Sequence, residues 1–226
     1  MFRNYIKVAI RNLQRNKMFS FINIFGLAIS MSVCLLVLLR IKDQFSYDKF
    51  HPHPQRTYRI VTEITNKEGA QFAFATTPLP LAPALNRDYN IIEKSVRLYP
   101  HAERATAVEK KLQVGAAFTE PSFFNVFGFK LKSGNHQTAL AAPKSVVLSE
   151  EAATRFFGVL EPMGQVLSFE KLGDFIVTGV LETPPGKSHV DFEAYLSISS
   201  VGQLEKSGAL TSTIEQWNNG TLHTLI

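Results

Sequence analysis

Cysteine is almost missing from this 226-residue chain: Cys34 is its only one, so no bridge can close within the chain and a disulfide scaffold is excluded. Glycine (13) and proline (11) are too sparse for a collagen-like or low-complexity chain. Charged residues make up 19% against 45% hydrophobic, which excludes disorder as the main state and leaves enough apolar material for one sizeable domain plus an appendage. Acid is missing altogether from residues 1–42, where the seven charged side chains are all basic: Arg3, Lys7, Arg11, Arg15, Lys17, Arg40 and Lys42. The remainder carries 17 basic against 19 acidic groups, so the formal net charge of +5 belongs to the N-terminal segment. A nucleic-acid partner needs clustered cations, and the large segment shows no such cluster, so nucleic acid is not expected as a partner.

What the N-terminal segment does contain is a run without charge from Met18 to Leu39. As a helix rising ~1.5 Å per residue, this run reaches about 33 Å, enough to cross a hydrocarbon core of about 30 Å. A cleaved signal peptide fits poorly, because the apolar region is too long and Arg40-Ile41-Lys42 replaces the small-residue cleavage site. A buried core helix of a soluble protein fits poorly as well, given cations on both flanks. Residues 18–39 are therefore read as a transmembrane helix, with Gly26, Ala28 and Ser30 as a candidate face for packing against another helix. Five cations precede the span and two follow it, which orients the N-terminus to the cytoplasm and the bulk of the chain, from about residue 43, outside it. Residues 1–17 form a basic amphipathic helix: Arg3, Lys7, Arg11 and Arg15 recur every four residues, opposite Phe2, Ile6, Ile10 and Leu13. With Lys17, these cations are the expected topology determinants and contacts with anionic membrane lipid.

Residues 43–226 read as a strand-rich α+β domain with room for two lobes. Prolines 52 and 54 stop any continued helix, Thr57 to Thr65 alternates, and Asn66-Lys67-Glu68-Gly69 turns the chain into Gln71 to Thr76 as a hairpin. Pro83 opens a short helix through Asn86. Further strands are expected at 95–99, 106–109, 112–118, 145–148, 166–169, 174–181 and 192–198. Two short helices share one plan, at Thr119 to Gly128 and Ser149 to Gly158: a hydroxyl cap, an acid, phenylalanines inward and a terminal glycine. The fourteen phenylalanines of this segment are expected mostly in its core.

No motif for a reaction is present. G-x-S-x-G, H-E-x-x-H, paired C-x-x-C and EF-hand patterns are lacking, and no cofactor, metal or catalytic residue is expected. Gly186-Lys187-Ser188 resembles the end of a phosphate-binding loop, but Leu181 occupies the position of the first glycine. His51 and His53 offer two imidazoles to a metal without a third ligand at motif spacing, and a surface turn is the simpler reading. Asn219-Gly220-Thr221 matches a glycosylation sequon, a pattern frequent by chance. Ser145, His189 and Asp191 could be assembled into a hydrolytic triad, although nothing in their spacing favours it. On the residues alone, a complete membrane-anchored binding or sensor module, a membrane-tethered hydrolase and a movement-transmitting subunit all remain open.

A further set of strings resembles a known family. Tyr5-Ile6-Lys7-Val8-Ala9-Ile10-Arg11-Asn12-Leu13, Asn23-Ile24-Phe25-Gly26-Leu27-Ala28-Ile29-Ser30-Met31 and Tyr47-Asp48-Lys49-Phe50-His51 come first. Phe123-Phe124-Asn125-Val126-Phe127, Ser145-Val146-Val147-Leu148-Ser149-Glu150, Phe156-Phe157-Gly158 and Val177-Thr178-Gly179-Val180-Leu181 follow in order. Together they resemble the N-terminal part of a MacB/FtsX-type ABC transporter permease, the group that includes lipoprotein-releasing permeases. The resemblance implies a first transmembrane helix and a periplasmic core domain, in the inner membrane of a bacterium. It implies a non-enzymatic subunit that relays movement from a separate cytosolic ATPase subunit and pairs with a second permease copy. Its outer domain would meet an exported substrate or a periplasmic adaptor. Members of the family continue into further membrane helices, so this chain is expected to be truncated within its outer domain.

Overall fold

The computed structural model describes residues 2–211, 217 and 222–226, with side chains from residue 4 onward apart from residue 9. The Asn219–Thr221 sequon lies outside the described residues. The chain divides into two units, one ending at Tyr47 and the other running from Asp48 to Ile226.

In the first unit, α1 (Phe2–Arg15) and α2 (Lys17–Gln44) are separated at Asn16, whose φ of −112° and ψ of 58° leave the helical region. The Ser20 hydroxyl donates to the Leu13 carbonyl across this break (3.1 Å). Helix α2 continues five residues beyond Leu39 and includes Arg40, Lys42 and Asp43 in its last turns. None of its residues is buried, and it is long and apolar enough to cross a membrane by length and composition.

The second unit begins with the hairpin β1 (Thr62–Thr65) and β2 (Gln71–Phe74). Asn66 makes the turn, its Oδ1 accepting from the backbone N–H groups of Glu68 (3.0 Å) and Ala70 (2.8 Å). Helix α3 (Leu81–Asp88) then leads into β3 (Val96–Ala107) and β4 (Lys110–Thr119). The expected gap between strands 95–99 and 106–109 does not occur: β3 runs on through Pro100, opposite Ala117, so the two segments are one strand and its turn. That turn, Val108-Glu109, takes positive φ at both residues (48° and 66°), the mirror-image geometry that suits a two-residue hairpin.

After α4 (Ser122–Phe127) come β5 (Leu131–Gly134), β6 (Ser145–Leu148) and α5 (Glu150–Phe157). They are followed by β7 (Val166–Phe169), β8 (Gly173–Leu181) and β9 (Ala194–Ser197). A 3-10 turn (Ile198–Ser200), α6 (Val201–Lys206) and β10 (His223–Leu225) complete the unit. The main sheet runs β10-β3-β4-β9-β6-β8-β5, and β7 pairs with both β3 and β8. That double pairing closes β3, β4, β9, β6, β8 and β7 into a ring.

Period-two alternation sends side chains to opposite faces of these strands. Val114, Ala116 and Phe118 of β4 join one hydrophobic cluster with Val146, Leu148, Phe175, Leu167 and Phe169, closed by Phe156 and Phe157 of α5. Ala117, Val147 and Tyr195 point the other way, into a second cluster with Phe123, Phe124 and Phe127 of α4. The two short helices of similar sequence plan thus seal opposite faces, and the two-lobe organisation left open by the sequence takes the form of two cores in one unit. Their caps differ. Ser149 caps α5, its hydroxyl accepting from the Ala152 N–H (3.1 Å), whereas α4 is preceded by Pro121 and has no side-chain cap. Thr119, expected to cap α4, is the last residue of β4 and fully buried. Glu120 instead accepts from the Arg97 guanidinium (2.7 Å) and backbone N–H (2.9 Å), tying the ends of β3 and β4 together.

Candidate functional site

In the N-terminal unit, α1 carries Lys7, Arg11 and Arg15 at four-residue intervals, one helical stripe, with Arg3 at the same interval in its backbone. Lys17 opens α2. Gly26 and Ser30 fall four residues apart on one stripe, and the Ser30 hydroxyl donates to the Gly26 carbonyl (2.9 Å). Ala28 is rotated about 160° from Ser30 at 100° per residue and shares its stripe with Ser32, whose hydroxyl donates to the Ala28 carbonyl (2.8 Å). The three small residues therefore divide between two faces. A Cβ added at Gly26 meets nothing within 4 Å.

A densely bonded polar site of the second unit starts at its first residue. Asp48 follows the last residue of α2, Gln44, by four positions and has φ 56°, a left-handed conformation that aspartate tolerates better than most residues. Its backbone N–H donates to the Lys187 carbonyl (2.8 Å). Its Oδ1 accepts from Ser188 Oγ (2.7 Å), the His189 N–H (3.1 Å) and His51 Nε2 (3.0 Å), and its Oδ2 from His189 Nδ1 (2.5 Å). Because an ionised carboxylate only accepts, His51 carries a proton on Nε2 and His189 on Nδ1, and neutral tautomers suffice for both. Burial alone would push the Asp48 carboxyl up, but the bonds from His189 and Ser188, with His51 nearby, hold it below the usual carboxylate value. Burial pushes the His51 imidazole below its ordinary value; Asp48 opposes that shift and His189 adds to it.

Aromatic packing supports the same stretch. The Phe50 ring meets Phe129 edge-on (5.4 Å), and His51 meets Phe127 edge-on (5.2 Å). Gly128, with φ 72°, stops α4 directly beneath: a Cβ there would lie 2.6 Å from the Pro52 side chain. Residues 48–52 are thus fixed to the 186–189 loop by charge-assisted bonds and to the α4 terminus by ring contacts.

This network answers several readings of the sequence. Gly186-Lys187-Ser188 is a brace for Asp48, with Ser188 Oγ also accepting from the Val190 N–H (3.1 Å). His51 and His53 do not act as a pair: His51 is committed to Asp48 with 8% of its side chain exposed, while His53 is exposed. Ser145, the candidate nucleophile, is 2% exposed and donates its hydroxyl to the Ala142 carbonyl (2.6 Å), while His189 is bonded to Asp48 and Asp191 is exposed. A nucleophile must reach its substrate, and this hydroxyl does not. Among the described residues, no group of three or more His, Cys, Asp or Glu has the arrangement of a metal site. The Asp48 network itself was not read from the sequence. Its one signal was the string Tyr47-Asp48-Lys49-Phe50-His51, noticed without a partner because Ser188 and His189 lie about 140 positions away.

The chain is thus a strand-rich α+β domain carried behind one candidate membrane span. It belongs to the family of MacB-like periplasmic core domains, whose model matches residues 20–219. Three solved structures share the fold. A domain assigned to a permease protein from Porphyromonas gingivalis has a TM-score of 0.65 at 20% identity, over 77% of this chain and 73% of that one. The periplasmic region of MacB from Actinobacillus actinomycetemcomitans has a TM-score of 0.51 at 22% identity, over 66% of this chain and 64% of that one. The extracellular domain of the ABC-type transporter YknZ from Gram-positive bacteria has a TM-score of 0.50 at 14% identity, over 75% and 82%. No curated protein matches the chain.

Proposed function

We propose that the chain is the N-terminal part of a permease subunit of a MacB/FtsX-type ABC transporter, not itself an enzyme, relaying movement driven by a separate cytosolic ATPase to an extracytoplasmic domain. In this reading residues 18–39 cross the inner membrane with the N-terminus in the cytoplasm. Arg3, Lys7, Arg11, Arg15 and Lys17 hold that topology at the anionic inner surface. A second permease copy, and an exported substrate or periplasmic adaptor, complete the assembly. Gly26, Ala28 and Ser30 offer close approach to neighbouring helices on two faces, as a span inside a bundle requires.

The observation that carries the reading is the Asp48 network. A relay delivers displacement to the outer domain only where the entry to that domain is itself firmly held. Asp48 opens the second unit and is held by five hydrogen bonds to the 187–189 loop and His51. The test is to isolate the native subunit from its membranes and ask whether it copurifies with an ATPase and carries further spans. A stable product of 25.3 kDa without an ATPase would overturn the proposal. In a reconstituted complex, Asp48→Ala is expected to leave ATP hydrolysis running while uncoupling it from movement of the outer domain. Unchanged coupling would remove the role given to the network.

A further inference from the structure

A cavity of about 480 Å³ opens in the second unit between the stretch from Asp48 to Arg59, the 189–192 loop and β10. Its wall is apolar over Leu98, Phe127, Val190, Phe192 and Leu225. Two formal charges line it. Asp48 is one, already accepting from His51, Ser188 and His189. Arg59 is the other, and among the described residues no carboxylate pairs with it: its Nη2 lies 2.6 Å from His223 Nδ1.

That contact contains a conflict. The same His223 Nδ1 is 2.9 Å from the Ala75 carbonyl oxygen. A ring nitrogen either accepts or donates, so Nδ1 can accept a hydrogen bond from Arg59 or donate one to Ala75, but not both. In either tautomer one of the two contacts is not a hydrogen bond. An anionic acceptor at Arg59 resolves this: the guanidinium forks onto the anion, and His223 keeps its Nδ1 proton for Ala75.

We propose that this cavity is a binding site for a small amphiphilic carboxylate, its head on Arg59 and its apolar body against Leu98, Phe127, Val190, Phe192 and Leu225. The mixture of an apolar wall and one orienting charge is that of small-molecule sites in general, and the volume is within their range. The inference is independent of the transporter reading.

The test is photo-crosslinking of the full chain in lipid nanodiscs with a diazirine-bearing arylalkyl carboxylate, the adducts being mapped by mass spectrometry. Label is expected on the 189–192 loop and residues 223–226. 4-Phenylbutanoate should displace it at concentrations about tenfold below those needed with 4-phenylbutanol, and 4-phenylbutylammonium should not displace it, as a charge-assisted bond of about 1.5 kcal/mol or more requires. Arg59→Gln, at an exposed position, should cut the label about tenfold. Val190→Trp, which fills the cavity with Arg59 intact, should abolish it. Label spread evenly over the chain, equal displacement by the ammonium compound, or wild-type labelling of either variant would overturn the proposal.

Discussion

Leu35, Leu36, Leu38 and Leu39 of α2 are each more than half exposed, whereas Leu140, Leu148, Leu167 and Leu196 of the second unit are 1% exposed or less. The same side chain therefore has opposite fates in two parts of one chain. In the second unit apolar residues alternate along strands, and each face finds a helix to cover it. In α2 they surround the helix on all sides, and no single face could bury them. If α2 crosses a bilayer as proposed, the two regions meet different solvents, and the stability of each answers to its own.

The strongest way to break this comparison is to move the charges that orient it. Replacing Arg3, Lys7, Arg11, Arg15 and Lys17 together by glutamate is expected to invert or scramble topology, read as a change in protease accessibility of residues beyond 48 in sealed vesicles. Unchanged accessibility would contradict the orientation. Next in size is the second core: Phe123 meets Tyr195 (4.6 Å), Phe127 (5.1 Å) and Phe129 (5.1 Å), so Phe123→Ala should cost the second unit about 3–5 kcal/mol in urea unfolding of the full chain. Leu36→Ala in α2 should leave that transition unmoved within about 0.5 kcal/mol. Asp48→Asn, which turns a donor NH2 group toward donors, is expected to cost about 2 kcal/mol in the same measurement.

Acid should act in the same direction as that last substitution. The folded chain holds His51 below its ordinary value of 6.5, so the unfolded chain takes up its proton first and stability falls as pH drops below about 6.5 toward the folded value. Asp48, held below 3.8, contributes stability that is present above that pH and lost as pH falls through its lower folded value. His51→Gln should flatten the slope just below pH 6.5, and a slope that persists would assign it elsewhere. Smallest is the helix face: Gly26→Leu with Ser30→Leu should weaken helix–helix association in bilayers by about 1 kcal/mol, measured by energy transfer, without moving the urea transition.

Much of the fold was legible because its signals are local. Ser145–Leu148 and Val166–Phe169 were bounded in full, and the Asn66–Gly69 turn declared itself by residue type. The strand from Val96 to Ala107 was read as two, because its middle, from Pro100 to Ala105, carries little apolar alternation and is specified by its nine-pair register with β4. Strand β5 and helix α6 passed unnoticed, being short, with meaning only through β8 and the 3-10 turn they pack beside. The site was the least legible part. Asp48 with Ser188 and His189, like Arg59 with His223, joins residues about 140 to 164 positions apart, and no periodicity carries that information.

The closure of the ring through β7 has a mechanical corollary. The β7–β3 edge is two residue pairs long, Ala105 with Phe169 and Thr106 with Ser168, while β3 and β4 are zipped over nine. A hoop with one short clasp has a set order of failure: under load the clasp parts first and the long zipper holds, so amide exchange quickens at Thr106 and Ser168 before it does at Glu103 or Val114.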